Sequence, residues 1–351
     1  MKGSILSIVV VLLLIVGSFG TIAVKTENCG CDNYITNEVE YPRTDQIYPY
    51  PLGLVEDHLK DDPDLPSPIA VLGDPPSSWD WRNAEYNGVT GDWTTSIKNQ
   101  GQCGSCWAFG AIAALESVYN IKSNDPDIDL DLSEQFLVSC SMSFPYNNRG
   151  CCGGHLGETL KFMKRQGTVL ESCFPYVGID ANGRDFYDCP DKTPSHDPVL
   201  CSERCDGWRS QLVKIGTYYT LNGGTSIKNA VSTYGPVVAA FTVYADFYDY
   251  TGGVYEHQYG DPVGGHIVAI VGYDDSQQCW ICKNSWGSAW GENGFFRIAY
   301  GECQIDSPGN SAYFQSCTKS RAYENIYLPF FIERYSLLGN LLIPFFKIMI
   351  N

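Results

Sequence analysis

The sequence predicts an α+β protein of two lobes, with helices in its first half and strands in its second. Two observations lead to this class. Between Ala108 and Gly167, apolar residues recur at the spacing of three and four that is typical of buried helix faces. After Gly235, four runs rich in β-branched and aromatic residues are separated by turn residues, as strands are. Helices and strands that are segregated along the chain favour an α+β arrangement.

The helical half contains three predicted helices, and the strand half opens with a fourth. The first helix begins near Cys106. The other markers are the apolar positions Ile112 and Leu115, the N-cap Ser133 before Glu134, and the stripe Leu156, Leu160 and Met163 before Gly167. A short helix then stops at Gly235, and strands are predicted at residues 237–244, 266–273, 279–284 and 294–300.

Length and charge limit the functions to be considered. The chain has 351 residues, which suits one large domain or two lobes around a shared cleft. It carries 23 Lys and Arg against 40 Asp and Glu, a formal net charge of −17. Because phosphate binding needs clustered positive charge, this balance excludes nucleic acid as a partner.

The first residues are typical of an export signal. An apolar run from Ile5 to Val16 is followed by the small residues Ser18 and Gly20. We expect residues 1–20 to be a signal peptide; the alternative is a membrane anchor, because the uncharged stretch reaches Val24. Either places the body outside the cytoplasm, secreted or membrane-associated on the outer face. The 15 cysteines fit an oxidising compartment, as seven disulfides and one reactive thiol or with further buried free thiols.

Two segments flank the predicted body, residues 77–316. Residues 21–76 are rich in Pro, Asp, Tyr and Asn, including Tyr-Pro-Tyr-Pro at 48–51, and lack a helical period. They predict an extended leader or prosegment, or a disordered linker. Residues 317–351 are apolar with charged and turn residues between. They predict an amphipathic tail that contacts a membrane surface, or a terminal helix packed on the body.

The most specific motif runs from Gln100 to Trp107, with the sequence Q-G-Q-C-G-S-C-W. Cys106 opens the first helix, where the helix dipole and unpaired N–H groups stabilise a thiolate, the nucleophilic form. As alternatives, Cys103 and Cys106 are a redox pair or half of a zinc site. A redox pair needs a βαβ context, which is absent from the predicted elements. A zinc site needs a second pair of ligands nearby, for which the sequence offers Cys201 and Cys205. We therefore assign Cys106 as a nucleophile and expect no metal and no cofactor.

His266 and Asn284 are the candidate partners of this thiol. If their strands form a hairpin with Tyr273 opposite Cys279, Asn284 falls opposite Val268, on the same face as His266. Asn284 then binds one ring nitrogen and leaves the other facing the thiol. Either residue alone carries little information; the conjunction is what predicts nucleophilic catalysis.

These motifs resemble the papain family of cysteine peptidases, over about residues 77–310. Other stretches that resemble family motifs, in the family's order, are Ser78–Arg82, Leu132–Gln135, Gly150–Gly154, Gly264–His266 and Lys283–Gly287. The resemblance implies a papain-like two-lobe fold, with a helical left lobe, a β-barrel-like right lobe and the active site in the cleft between them. It also implies that the substrates are peptides or proteins.

The resemblance implies further site residues. Gln100 and the backbone N–H of Cys106 would form the oxyanion hole, and Trp286 would cover the bond between His266 and Asn284. The glycines that would let a substrate backbone approach are Gly104, Gly153 and Gly154. The walls of the pocket for the second residue before the scissile bond would be Leu156, Ala240, Gly264 and Pro308. None of these walls carries a carboxylate, which predicts a preference for Leu, Val or Phe over Arg unless Asp306 reaches the pocket.

Within the family the chain is most similar to cathepsin B-like members. The firmest disulfide implied is Cys103–Cys151, and Cys173–Cys205 follows the cathepsin B pattern. Cys140 would bond Cys201, as in cathepsin B, or Cys189, as in papain. The stretch that matches the histidine-bearing occluding loop of cathepsin B holds only His196, which argues against removal of C-terminal dipeptides.

The function predicted is that of an exported cysteine endopeptidase that works through a thioester acyl-enzyme. A transpeptidase or ligase, in which an amine replaces water, uses the same site and is the first alternative. A non-catalytic peptide-binding module is the second, and the filled positions Cys106, His266, Asn284 and Gln100 argue against it.

Overall fold

The structure is a computed structural model that describes residues 48–55, 74–189 and 192–319. The predicted signal peptide, most of the predicted leader and residues 320–351 lie outside the described residues. The helices are α1 (Cys106–Ser123), α2 (Glu134–Cys140), α3 (Leu156–Arg165) and α4 (Gly224–Tyr234). The strands are β1 (Ser78–Asp80), β2 (Ala84–Tyr86), β3 (Val89–Gly91), β4 (Val213–Ile215), β5 (Tyr218–Leu221), β6 (Val237–Tyr244), β7 (Val254–Tyr255), β8 (Pro262–Asp274), β9 (Cys279–Lys283), β10 (Phe295–Ala299), β11 (Ser311–Phe314) and β12 (Cys317–Lys319).

The helices have the capping signals that the sequence predicts. The Ser133 hydroxyl accepts a hydrogen bond from the N–H of Phe136 at 3.0 Å and so caps α2. Gly167 and Gly235 follow α3 and α4 with φ of +82° and +131°, a region that favours glycine. The predicted ends of these helices are therefore confirmed within one or two residues.

The main sheet has the strand order β5-β11-β6-β8-β9-β10-β7, and β1 pairs with the far end of β8. The pairs β2–β3 and β4–β12 form two small sheets. Strand β8 is central to this arrangement, since it pairs with β6, β9 and β1. His266 lies where β8 is paired with β6, opposite Phe241, and precedes the part of β8 that also pairs with β9.

The register between β8 and β9 differs in part from the predicted hairpin. Near the turn, Tyr273 lies opposite Trp280 and not opposite Cys279. A bulge between Ile270 and Gly272 then absorbs one residue, after which Ala269 lies opposite Lys283. The prediction was wrong by one residue at the turn, but the bulge restores the expected alignment at the end of the strand next to Asn284.

The core has two clusters of buried side chains. One surrounds α1, α2 and α3 and includes Trp107, Leu137 and Met163; the other lies on the strand side and includes Trp280, Trp286 and Phe296. Helix α1 runs close along β8, because a Cβ added to Gly110 would lie 2.9 Å from Cγ2 of Ile267. This close approach brings the helix start and His266 to the same cleft, in agreement with the predicted two-lobe α+β fold.

Four disulfides join described residues: Cys103–Cys151, Cys140–Cys201, Cys152–Cys189 and Cys173–Cys205. Of the two alternatives for Cys140, the structure therefore has the bond to Cys201. Five described cysteines are free: Cys106, Cys279, Cys282, Cys303 and Cys317. The prediction of seven disulfides and one free thiol is therefore wrong. Besides Cys106, four free thiols lie in the strand half, and three of them are buried, as the alternative with further buried free thiols expects.

The body extends slightly beyond its predicted end at residue 316. Strand β12 continues to Lys319, which lies opposite Val213 of β4. The first three residues of the predicted tail thus belong to a sheet and not to an amphipathic segment. Within the ranges that the structure describes, none of the helices is both long and apolar enough to cross a membrane.

Candidate active site

Cys106 is the first residue of α1 and is fully buried. The loop before it is fastened by the Cys103–Cys151 disulfide and by a hydrogen bond from the N–H of Gly104 to the carbonyl of Cys151, at 2.9 Å. Because Cys103 is bonded to Cys151, it does not form a redox pair with Cys106. Cys201 and Cys205 are each in a disulfide as well, so the alternative zinc site lacks its ligands.

His266 and Asn284 meet where β8 and β9 lead into the cleft. Nε2 of His266 lies 2.8 Å from Oδ1 of Asn284, and both side chains are buried. An amide oxygen only accepts, so Nε2 carries the proton. Nδ1 of His266 has no hydrogen-bond partner among the described residues. The backbone N–H of Ile267, the residue after His266, acts to lower the pKa of the Cys106 thiol, so this part of β8 lies close to the sulfur.

Gln100 is fully buried, with its side-chain amide fixed at both ends. Its Oε1 accepts from the Ser285 hydroxyl at 2.7 Å, which leaves Nε2 as the donor that points toward the loop before Cys106. Nε2 donates to the carbonyl of Cys103 at 2.9 Å and to that of Pro51 at 2.8 Å. Ser285 belongs to the Lys283–Gly287 motif, and no role was predicted for it. Its hydroxyl sets the orientation of the Gln100 amide.

Trp286 lies over His266, with ring centroids 4.8 Å apart. The ring of Trp286 also stacks almost parallel to the rings of Tyr248 and Tyr50, at centroid distances of 5.3 Å and 4.7 Å. Tyr48 stacks in turn on Tyr248 at 4.7 Å. Tyr248 was not among the predicted site residues; the sequence signal for it was the concentration of aromatic residues in Phe-Tyr-Asp-Tyr at 247–250.

Residues 48–55, a piece of the predicted leader, lie in the cleft, where Leu54 forms single β-bridges with Gly265 and with Gly154. The N–H of Leu54 donates to the carbonyl of Gly265 at 3.0 Å. Gly154 receives a bond from the N–H of Val55 at 3.0 Å and donates to the carbonyl of Gly53 at 2.8 Å. Backbone hydrogen bonds of this kind hold a peptide at a sheet edge whatever its side chains are.

The three predicted backbone-approach glycines have different neighbours. A Cβ on Gly153 would lie 2.9 Å from the carbonyl oxygen of Gly53, and one on Gly104 would lie 3.0 Å from that of Leu52. Gly153 therefore admits the bound segment, whereas at Gly104 the added atom would first meet the carbonyl oxygen of Cys151, at 2.6 Å. At Gly154 the added atom would collide with the ring of Trp107, at 2.5 Å, so its small size also serves core packing.

The predicted pocket walls are only partly brought together. Leu156 and Ala240 belong to one core cluster, and Leu54 packs against that cluster. Gly264 faces Leu52, whose Cδ1 would lie 3.0 Å from an added Cβ. Pro308 is exposed. Asp306 is engaged elsewhere, since its Oδ2 accepts from the indole N–H of Trp280 and from the N–H of Gly301.

The electrostatics of the covered site favour neutral groups. Burial raises the pKa of the Cys106 thiol to about 12, although backbone N–H groups, among them that of Gly53, act in the opposite direction. Burial also lowers the pKa of His266 to about 4, against the effect of the bond to Asn284. Both shifts oppose a thiolate–imidazolium pair. With residues 48–55 in place, the site therefore holds a thiol and a neutral imidazole.

One group of side chains has the composition of a metal site. Ligand atoms of Asp185, Asp188 and His196 lie within 4.8 Å of one another. Hydrogen bonds explain their positions, because the Asp188 carboxylate accepts from the hydroxyl and the N–H of Ser195, and Asp185 caps a short 3₁₀ turn. His196 lies 3.4 Å from Asp185. The group does not require a cation to be explained.

Comparison with known proteins extends over most of the chain. A sequence profile described as "Papain family cysteine protease" matches residues 75–313. The chain is 35% identical over 246 residues to "Cathepsin B-like CP3" of Giardia intestinalis, covering 69% of this chain and 75% of that one. It is 32% identical over 237 residues to "Cathepsin B" of Dictyostelium discoideum, covering 64% and 70%.

Solved structures are similar as well. A digestive procathepsin L 3 of Tenebrio molitor aligns with a TM-score of 0.55 at 30% identity, over 72% of this chain and 74% of that one. The proCathepsin B S9 of Trypanosoma congolense aligns with a TM-score of 0.57 at 24% identity, over 77% and 86%. At 24% identity, the similarity to the Trypanosoma structure concerns the fold alone.

Proposed function

Because this chain belongs to the papain family of cysteine proteases, we propose that it is an exported endopeptidase with Cys106 as its nucleophile. The observation that carries the proposal is the joint geometry of Cys106, His266, Asn284 and Gln100. A buried thiol at a helix start, an imidazole with one free nitrogen beside it and a fixed amide donor are the parts that acyl transfer needs.

The reaction follows from these positions. Nδ1 of His266 takes the proton of the Cys106 thiol, and the sulfur attacks the substrate carbonyl carbon to form a C–S bond. The oxygen becomes an oxyanion that accepts from Gln100 Nε2 and from the N–H of Cys106. His266 then gives its proton to the leaving amine as the C–N bond breaks. Water hydrolyses the thioester with the same ring as base, and Asn284 keeps the ring in the required tautomer throughout.

Residues 21–76 act in this proposal as an inhibitory prosegment. Support comes from residues 48–55, which occupy the cleft: the Pro51 carbonyl accepts from the Gln100 amide at 2.8 Å, and the N–H of Leu54 donates to the carbonyl of Gly265, next to His266. The segment thus takes up the side-chain donor of the proposed oxyanion hole and lies beside the proposed base. The solved structures from Tenebrio and Trypanosoma named above are likewise proforms.

Secretion, or attachment to the outer face of a membrane, is the location that we propose. The predicted signal or anchor at residues 1–20 supports it, and so do the four disulfides, which persist in oxidising compartments. Contact of the C-terminal tail with a membrane surface remains part of this proposal. Peptides and proteins are the substrates, with neither nucleic acid nor a cofactor involved.

The experiment is to compare the wild-type chain with Cys106→Ser on a mixed peptide library, read by mass spectrometry. We expect internal cleavage by the wild type and none by the variant, with the same melting temperature for both. Substantial activity in the variant would remove Cys106 as the nucleophile. Products joined to an added amine, in excess over hydrolysed ones, would instead favour a transpeptidase.

A further inference from the structure

Tyr176 lies behind the loop that carries the two proposed oxyanion donors. Its hydroxyl donates to the backbone carbonyl of Gln100 at 2.8 Å and lies 2.7 Å from the hydroxyl of Ser105. Its ring packs edge-on against Phe109 of α1, with centroids 4.8 Å apart. A single phenol thus contacts both ends of residues 100–105 from the side that faces away from the substrate.

These two contacts correspond to the two donors. Gln100 supplies the side-chain N–H, and Ser105 immediately precedes the backbone N–H of Cys106. Serine at a helix start usually turns its hydroxyl onto the first N–H groups of the helix. Ser105 makes no such bond. Its hydroxyl lies instead 2.7 Å from the Tyr176 hydroxyl and 3.4 Å from the carbonyl of Cys103. The first N–H groups of α1 are therefore not taken up by a side chain.

We propose that Tyr176 is a positioning residue that fixes the spacing of the two oxyanion donors without touching the substrate. The inference rests on the proposed function. Such donors act only when they lie about 2.7–3.1 Å from the oxyanion. A small shift of either end of residues 100–105 therefore weakens the hydrogen bonds to the oxyanion. Burial raises the pKa of Tyr176 above its usual range, so the hydroxyl stays protonated at every working pH.

The decisive variant is Tyr176→Phe, which keeps the ring against Phe109 and removes both hydrogen bonds. Full-length chains are activated in the same way and compared. We expect kcat to fall about 3- to 10-fold, less than the roughly 100-fold or more for a lost donor, with KM within about twofold. The affinity for a peptide aldehyde should fall by the same factor, because its hemithioacetal oxygen occupies the position of the oxyanion. Alkylation of Cys106 by iodoacetamide forms no oxyanion and should keep its rate.

Tyr300→Phe is the matched control. It also removes a tyrosine hydroxyl bond, to Asp275 at 2.7 Å, but at the end of β10 opposite to the active site. We expect all of its kinetic constants to match the wild type. Ser105→Ala removes one of the two Tyr176 contacts and should lower kcat and aldehyde affinity by about 2- to 3-fold, as expected for a smaller displacement of the donors.

Unchanged aldehyde affinity in Tyr176→Phe would overturn the proposal, and so would an equal fall of kcat and alkylation rate, which indicates general damage. If that variant does not fold, Ser105→Ala decides: wild-type kcat and aldehyde affinity there would also overturn it. A wild-type chain that hydrolyses no peptide would contradict the proposed function instead, and aldehyde affinities would still test Tyr176.

Discussion

Gly53→Ala is expected to expel residues 48–55 from the cleft. A Cβ at this position would lie 1.8 Å from the carbonyl oxygen of Gly104 and 2.4 Å from its carbon. Both are backbone atoms of the loop before Cys106, which the Cys103–Cys151 disulfide fastens. The colliding atoms belong to the backbone and not to the end of a flexible side chain, so the segment itself has to leave.

The size of the effect follows from the strain that the added methyl puts on the closed form. Inserting one methyl into a filled space costs about 1–3 kcal/mol, whereas the bonds of Leu54 and Val55 are broken on opening in the wild type and the variant alike. Since about 1.4 kcal/mol corresponds to a factor of ten, the open fraction of the precursor should rise by about 5- to 150-fold.

The assay is the labelling rate of Cys106 by iodoacetamide in the full-length chain, read by mass spectrometry. Pro49→Ala is the control, because Pro49 belongs to the same segment and is exposed. We expect faster labelling, or self-cleavage, for Gly53→Ala and a wild-type rate for the control. If Gly53→Ala were labelled at the wild-type rate, residues 48–55 would not be what covers the thiol.

Three further predictions concern pH, specificity and redox state. In the folded precursor the pKa of His266 is depressed to about 4, below its ordinary value of 6.5. Its contribution to the stability of the fold is therefore fully present above pH 6.5 and is lost as the pH falls through 4. We expect the melting temperature of the precursor to fall over this range. Paired substrates should show kcat/KM about tenfold higher for Leu than for Arg two residues before the cleavage point, because Asp306 is bonded to Trp280; a preference for Arg would mean that Asp306 leaves that partner. Full reduction should lower the melting temperature, and an unchanged value would show that the four disulfides do not stabilise the fold.

The hairpin of His266 and Asn284 illustrates how far the sequence carries a structural prediction. Successive side chains of a strand point to opposite faces, and this period of two was sufficient for the end of the strand at the active site. The bulge at residues 270–272 depends on packing against neighbouring strands, and no local sequence pattern predicts it. The register at the turn could therefore not be predicted, although the meeting of the two residues could.

The leader shows the opposite case. The Tyr-Pro-Tyr-Pro run at 48–51 has no period, so local reasoning allows only an extended segment. Its conformation is decided by surfaces far away in sequence: the rings of Trp286 and Tyr248, and the backbone of Gly154 and Gly265. The Cys152–Cys189 bond escaped prediction for a similar reason, since cysteine spacing does not determine which partners meet.

The distribution of sulfur bears on how the chain acquires its structure. The four disulfides among the described residues close loops between residues 103 and 205, whereas Cys279, Cys282, Cys303 and Cys317 in the later half are free. Burial raises the pKa of each of these four thiols, which makes them poor attackers in thiol–disulfide exchange once the sheet has formed.

Before the sheet has formed, the same four thiols are ordinary competitors for every bond in the helical half. Sheets that join distant strands form slowly, whereas helices form early. Oxidation that outruns sheet formation therefore traps scrambled pairings. Supplying the oxidant only after the strands have assembled should raise the yield of correctly bonded protein.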